Sequence, residues 1–465
     1  MERSEAATFK KFPLTLLSIL LATACSSRSG GADVAPQAPS AGWSGAISEY
    51  SVLYAFQGGS DGAHPQAALT KLNGELYGTT SQGGGAMQCP DPSIQFTASG
   101  CGTVFRIDQS SDVGVLYRFA GTDGANPDTN LVASNGLLIG TTRTSNSSCP
   151  LSVPSSSSSS SHTAQLGSCG TIFSLTPSGQ WTLLFNFQND SGQLGAYPNG
   201  ITIVGNTVFG TTTNGGTGGD CASYYQGELQ YPTFNGCGLA FSLGKTETTL
   251  HNFGSGKDAS IPASRLTPLG GNLYGTSVYG GSGKCQVYPP YYNYSTSGCG
   301  TVYVLSPSGS ENVVYKFGGD EDGKWPYSGL TVHDGLLYGT TSSGGRKGDC
   351  CGTVFEVTPS GAERVVYAFK AVPDGVSPRA ALVFVHGKFY GTTMLGGSAR
   401  CDCGTIFSVT RSGHERVVHS FAGNQDGAYP ESSLTYFQGR LYGTTEAGGS
   451  KACAHGCGTV FAFTP

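Results

Sequence analysis

The sequence predicts an all-β fold: a seven-bladed β-propeller of four-stranded blades, with an N-terminal strand closing the last blade. Three observations carry this. Three short motifs recur seven times in a fixed order between residues 46 and 465. Helix formers are scarce and Gly is abundant, 72 of 465 residues, about twice the usual share of ~7%. The seventh repeat also lacks a strand that a spare segment at the front of the domain can supply.

The first motif is Asp-Gly-x-x-Pro. It runs from Asp61 to Pro65, Asp123 to Pro127, Asp322 to Pro326, Asp374 to Pro378 and Asp426 to Pro430, with altered copies at Leu194–Pro198 and Asp258–Pro262. The second is Tyr-Gly-Thr-Thr, beginning at Tyr77, Tyr274 (where Ser277 replaces the last Thr), Tyr338, Tyr390 and Tyr442, with Ile139 and Phe209 replacing the Tyr in two copies. The third is Cys-Gly-Thr-Val-Phe or a variant, beginning at Cys101, Cys169, Cys237, Cys299, Cys351, Cys403 and Cys457. Each repeat spans about 60 residues, against ~40–50 for familiar propeller blades, so the extra length belongs to loops.

The sixth repeat shows the four strands. Ala380–Val385 is strand a and is rich in small residues, as an innermost strand near a crowded axis should be. His386-Gly387 turns into strand b, Lys388–Thr393. Strand c is Gly404–Thr410, and Ser412-Gly413 turns into strand d, Glu415–Phe421. Asn73-Gly74, Asn135-Gly136 and Asp334-Gly335 are two-residue hairpin signals at other a–b turns. Glu49–Phe56 (EYSVLYAF) matches strand d of the fifth repeat, Glu363–Phe369 (ERVVYAF), and is expected to complete blade 7. Closure in this way leaves no sheet edge open to aggregation.

The ordered trio of motifs resembles the gloeo/verruco tandem repeats of exported bacterial proteins, over about residues 50–465. The resemblance implies an exported propeller whose relatives carry varied surface anchors. It implies no catalytic residue.

The formal charge is −5 and no long basic run exists, which excludes a nucleic-acid footprint. Arg3, Lys10 and Lys11 precede an apolar run, Pro13–Ala24, that is too short to span a bilayer. It ends in Leu-Ala-Thr-Ala-Cys, so residues 1–25 resemble a lipoprotein signal with Cys25 as the acylated residue. Residues 26–45 read as a flexible Ser/Gly/Ala/Pro tether and 46–465 as the propeller. The expectation is a monomer held to the bacterial envelope or surface through its lipid alone.

Apart from Cys25, fourteen Cys fall two to a repeat, all in b–c connections. In an exported protein this pattern predicts the disulfides Cys89–Cys101, Cys149–Cys169, Cys221–Cys237, Cys285–Cys299 and Cys453–Cys457. Cys350/Cys351 and Cys401/Cys403 are too cramped in sequence to decide. Ligand spacing for zinc is missing, and neither a metal nor a cofactor is expected.

The d–a and b–c loops share one end of the blades and carry nearly all the variation, so that face is the functional candidate. The Asp of the first motif reads as turn chemistry rather than as a ring of ligands. The b–c loops of repeats 3 and 4 are Tyr-rich and include Tyr225 and Tyr292. The residues flanking the proline at the mouth of strand a differ in every repeat. His64, Trp325 and Tyr429 precede it, and Asp128, Tyr327, Arg379 and Glu431 follow it. The reading is a propeller that binds a glycan or an envelope protein, with Tyr225, Tyr292, Trp325, Tyr327, Arg379 and Tyr429 as contacts. An enzyme of the lyase or hydrolase type would instead use Asp128, Glu431, Arg379 and His64. A structural spacer with no ligand is the third reading. No established catalytic motif occurs.

Overall fold

A computed structural model describes residues 50–85, 89, 100–108, 110, 112–145, 169–187, 195–218, 223–224, 236–254, 256–281, 285, 293–294, 298–346 and 350–465. The signal, Cys25, the tether and Glu49 lie outside them, as do Cys149, Cys221, Tyr225 and Tyr292.

Seven antiparallel sheets succeed one another along the chain, each in the strand order a-b-c-d. In blade 1 these strands are Thr70–Leu72, Glu75–Thr80, Thr103–Ile107 and Val113–Arg118. In blade 6 they are Val383–Val385, Lys388–Thr393, Thr405–Val409 and Glu415–Ser420, so strand a is shorter than expected and the other three agree with the sequence. Blade 7 takes Thr435–Phe437, Arg440–Thr445 and Thr459–Phe463 from one end of the chain and Ser51–Ala55 from the other. That last strand pairs antiparallel with Thr459–Phe463, so the N-terminal strand closes the ring.

The hydrophobic core lies between neighbouring sheets. Tyr77 and Val104 of blade 1 pack with Leu131, Leu138 and Phe173 of blade 2, and Tyr390 and Ile406 of blade 6 with Leu441 and Phe461 of blade 7. The Phe ending each strand d meets, edge to face, the ring on strand c of the next blade. Phe56 reaches Phe105, Phe119 reaches Phe173 and Phe421 reaches Phe461, all with centroids 5.2–5.3 Å apart. Such pairs add to the area they bury.

The motifs are the junctions. The Gly of Tyr-Gly-Thr-Thr makes room for the strand c ring, since a Cβ on Gly339 would lie 2.5 Å from Phe355 Cζ. The second Thr of that motif meets the Thr of Cys-Gly-Thr on strand c, as in Thr80–Thr103 and Thr341–Thr353, both 2.8 Å. The Gly after each second Cys lets the next blade's proline approach. A Cβ on Gly102 would stand 2.6 Å from Pro127 Cδ and would overlap the Thr80 carbonyl oxygen.

One bond is made at all seven junctions. The carbonyl of the second Cys accepts from the N–H of the residue before the next blade's proline. Cys101 receives Asn126 (2.9 Å), Cys299 receives Trp325 (2.8 Å), and Cys457 receives His64 (2.8 Å) across the closure. The pre-proline residues reach it in the left-handed conformation, with φ between 55° and 58° in all seven.

Candidate functional site

Strand a of every blade faces the axis. The residues after the seven prolines, Gln66, Asp128, Asn199, Ala263, Tyr327, Arg379 and Glu431, all line one cavity of about 860 Å³. These positions stand out in the aligned repeats, and the structure brings their residues together. The left-handed turn before the proline directs the preceding residue elsewhere. Among the seven pre-proline residues only Tyr197 lines the cavity.

The ring is polar and linked from blade to blade. The Arg379 guanidinium lies 5.2 Å from the Tyr327 ring centroid and pairs with Glu431 at 2.9 Å. Gln66 donates to Glu446 at 3.0 Å, in the blade that also carries Glu431. Burial and the neighbouring Glu431 carboxylate push the Glu446 carboxyl up to about 8, so it is protonated at neutral pH. Desolvation also raises Tyr327, opposed by Arg379. Across the ring, Arg143 faces Asp128 at 3.4 Å and lies over Tyr197 at 5.1 Å. Asn199 donates to the Pro262 carbonyl at 2.7 Å, bridging blades 3 and 4.

His64 sits in a blade junction. Its Nδ1 lies 3.0 Å from the Glu446 carbonyl oxygen, and burial holds its pKa below the usual imidazole value. Trp325 is half-buried with the Lys324 ammonium 4.2 Å from its ring centroid, and its Nε1–H has no partner among the described residues. Tyr429 packs against the core between blades 6 and 7. Asp128, Tyr327, Arg379 and Glu431 are therefore together in the cavity, whereas His64, Trp325 and Tyr429 are not in its wall.

The b–c loops of blades 3 and 4 meet, since Ser223–Tyr224 pairs with Asn293–Tyr294. Among the described residues five Cys pairs are joined: Cys89–Cys101, Cys285–Cys299, Cys350–Cys351, Cys401–Cys403 and Cys453–Cys457. The two pairs left open by the sequence are among them. The second Cys of each pair is the one whose carbonyl holds the next blade.

The Asp of the first motif caps its own turn. Asp322 accepts from Tyr315 Oη (2.8 Å) and Gly318 N (2.7 Å), and Asp374 from Tyr367 Oη (2.8 Å) and Lys370 N (3.0 Å). The strand d Tyr is the partner that sequence reasoning missed. It lies seven residues before the Asp, a spacing that recurs in several repeats. The first Glu of the next blade's strand d adjoins each pair, and burial together with the Asp charge pushes Glu363 and Glu415 up to about 7. Between blades 3 and 4 the Tyr is replaced by His251. Ligand-type atoms of His251, Asp258 and Glu311 lie within 4.8 Å of one another, the one such group among the described residues. Recurrence of the slot with Tyr marks it as part of the junction.

Comparison with curated protein sequences gives no match. Among solved structures, the chain is similar to a putative gluconolactonase at 10% identity, covering 63% of this chain and 80% of that one, TM-score 0.33. It is similar to puromycin hydrolase at 10% identity, covering 83% of this chain and 59% of that one, TM-score 0.38. A Bacteroides thetaiotaomicron protein of unknown function shows 12% identity, 87% and 99% coverage and a TM-score of 0.35. The chain spans little more than half the length of the hydrolase, and the likeness concerns fold alone. The Gloeobacter/Verrucomicrobia repeat family matches residues 234–461. With the same motifs recurring through this stretch, residues 234–461 are Gloeobacter/Verrucomicrobia repeats that form the later blades of a seven-bladed propeller.

Proposed function

We propose that the protein is an exported, lipid-anchored binding propeller that takes a glycan in its axial cavity. One observation carries the reading. Seven equivalent backbone positions carry acid, base, amide and aromatic side chains, and all seven line one cavity. A volume of about 860 Å³ suits a short oligosaccharide rather than a protein surface. Polar groups flanked by Tyr327 fit sugar hydroxyls and ring faces. Export and anchoring rest on the signal-like residues 1–25 ending in Cys25, and Cys pairs at disulfide distance agree with an oxidising compartment. The strands Ser223–Tyr224 and Asn293–Tyr294 pair, joining two b–c loops whose sequences are rich in Tyr.

The test is an array of envelope and environmental glycans read with wild type and Arg379→Ala. For any ligand of the wild type, loss of Arg379 should weaken binding about tenfold or more. Unchanged affinity would remove the cavity from consideration. A second reading, acid–base catalysis, is favoured by the protonated Glu446 beside Glu431. Turnover abolished by Glu431→Gln with binding intact would establish it.

A further inference from the structure

The cavity has a second ring, formed by the third residue after each proline. Six of its positions are Ala68, Asn130, Gly200, Gly329, Ala381 and Ser433, with Gly200 standing in where blade 3 is one residue shorter. The seventh is Arg265, a long cation among small neutral residues. Its stem is flanked by glycines of both adjoining blades. A Cβ on Gly200 would lie 3.1 Å from Arg265 Cβ, and one on Gly329 would lie 4.0 Å from Arg265 Cγ.

The charges of the cavity do not balance. Its lining holds three Arg and two carboxylates. Arg143 faces Asp128 and Arg379 faces Glu431. Among the described residues, Arg265 has no carboxylate within ion-pair distance. Its side chain is exposed within the open cavity, where the neighbouring wall lowers its pKa only through partial desolvation. A guanidinium cannot shed its proton at ordinary pH, so Arg265 presents a solvent-facing positive charge, unmatched by the carboxylates of the lining, to any anion that enters the cavity.

We propose that Arg265 is the anchor for the carboxylate of an acidic saccharide, so that the cavity takes uronate-containing glycans in preference to neutral ones. This rests on the binding reading above. A carboxylate can accept two parallel N–H bonds from the planar guanidinium. The ring of small neighbours leaves room for the attached sugar, while the ring immediately after the prolines supplies groups for its hydroxyls.

The experiment compares a galacturonate trisaccharide, a galactose trisaccharide and sodium acetate by calorimetry and thermal shift. Wild type, Arg265→Gln and Arg265→Lys are each measured. The expected result is at least tenfold preference for the acidic trisaccharide in wild type, weakening as salt rises. That preference should be lost in Arg265→Gln and partly kept in Arg265→Lys. The comparison within wild type holds even if a variant folds poorly. Equal binding of acidic and neutral trisaccharides, indifferent to Arg265, would overturn this inference and leave the binding reading intact. Acetate binding as tightly as the uronate would show a simple anion site and overturn the saccharide assignment. Binding of none of the three would overturn the uronate assignment, and binding of no glycan on the array would overturn the wider reading separately.

Discussion

The residues on either side of the strand a proline are separated by one position and behave in opposite ways. Before the proline stand His64, Asn126, Tyr197, Ile261, Trp325, Ser377 and Tyr429, seven residues of five different chemical kinds in one left-handed conformation. Their backbone N–H groups make one and the same bond to the preceding blade. After the proline the residues are again unlike one another, but there the side chains face a common cavity. Assembly uses the backbone and recognition uses the side chains. The blade junction can therefore stay constant while the axis varies.

Several measurements would break or sharpen that contrast. The largest effect should come from deleting residues 46–57, which removes strand d of blade 7 and the buried Phe56 that packs on Phe105. The melting temperature should fall by more than about 10 °C, or folding should fail. Melting at the wild-type temperature would mean that this strand does not hold the ring.

Gly102→Val should come next. The position has φ of +95° and a Cβ would press on Pro127 of the next blade, so a loss of roughly 3 kcal/mol or more is expected in chemical denaturation. Gly136→Ala, at a turn with φ of +77° and nothing within 4 Å, should cost only about 1 kcal/mol. Similar costs for both would argue against close blade approach at the proline.

Thr341→Val should cost about 1–2 kcal/mol, because it breaks the bond to Thr353 Oγ1 and leaves the Thr353 N–H without its acceptor. Arg379→Ala, on the recognition side, should change stability by less than the junction variants while affecting binding most. The reverse ranking would merge the two roles.

The pH dependence is smaller and separable. Glu446 is raised to about 8, and Glu363 and Glu415 to about 7, all chiefly by burial. A carboxyl raised in the folded state favours folding fully below its unfolded value, near 4.5, and that contribution is lost as pH climbs through the folded value. Asp426, lowered by its His419 partner against the opposing effect of burial, acts in the opposite direction: its contribution disappears as pH falls below about 4. Melting temperature should therefore peak near pH 5 and decline toward pH 8. Glu446→Gln should flatten the decline above pH 7. A flat profile in the wild type would contradict the burial of these carboxyls.

Much of the fold was legible because each repeated motif performs one junction task. Gly78 and its equivalents accommodate a ring, Thr80 and Thr103 meet, and Gly102 admits a proline. Such needs recur in every blade and leave periodic residues. The ring after the proline was also readable, since equivalent slots with unlike polar residues stand out in an aligned repeat. The orientation of the residue before the proline was not. Its left-handed turn depends on a hydrogen bond to another repeat, so His64 and Trp325 could not be told from Asp128 and Tyr327 by spacing. Arg265 was missed for a related reason. Its significance lies in having no carboxylate partner among the described residues, and that requires knowing which positions face the axis. The Tyr of strand d, matched to the Asp seven residues on, was legible in principle from their joint recurrence.

The ring after the proline also bears on how such a protein can change. Its seven positions are borne by one repeated backbone, and each belongs to a different copy of the repeat. A substitution in one copy edits one letter of a seven-letter word without respelling the others. Duplicated genes could thus drift from one ligand to another through single changes, without passing through an unfolded ancestor. A library randomised at these codons alone would sample that vocabulary on a constant frame.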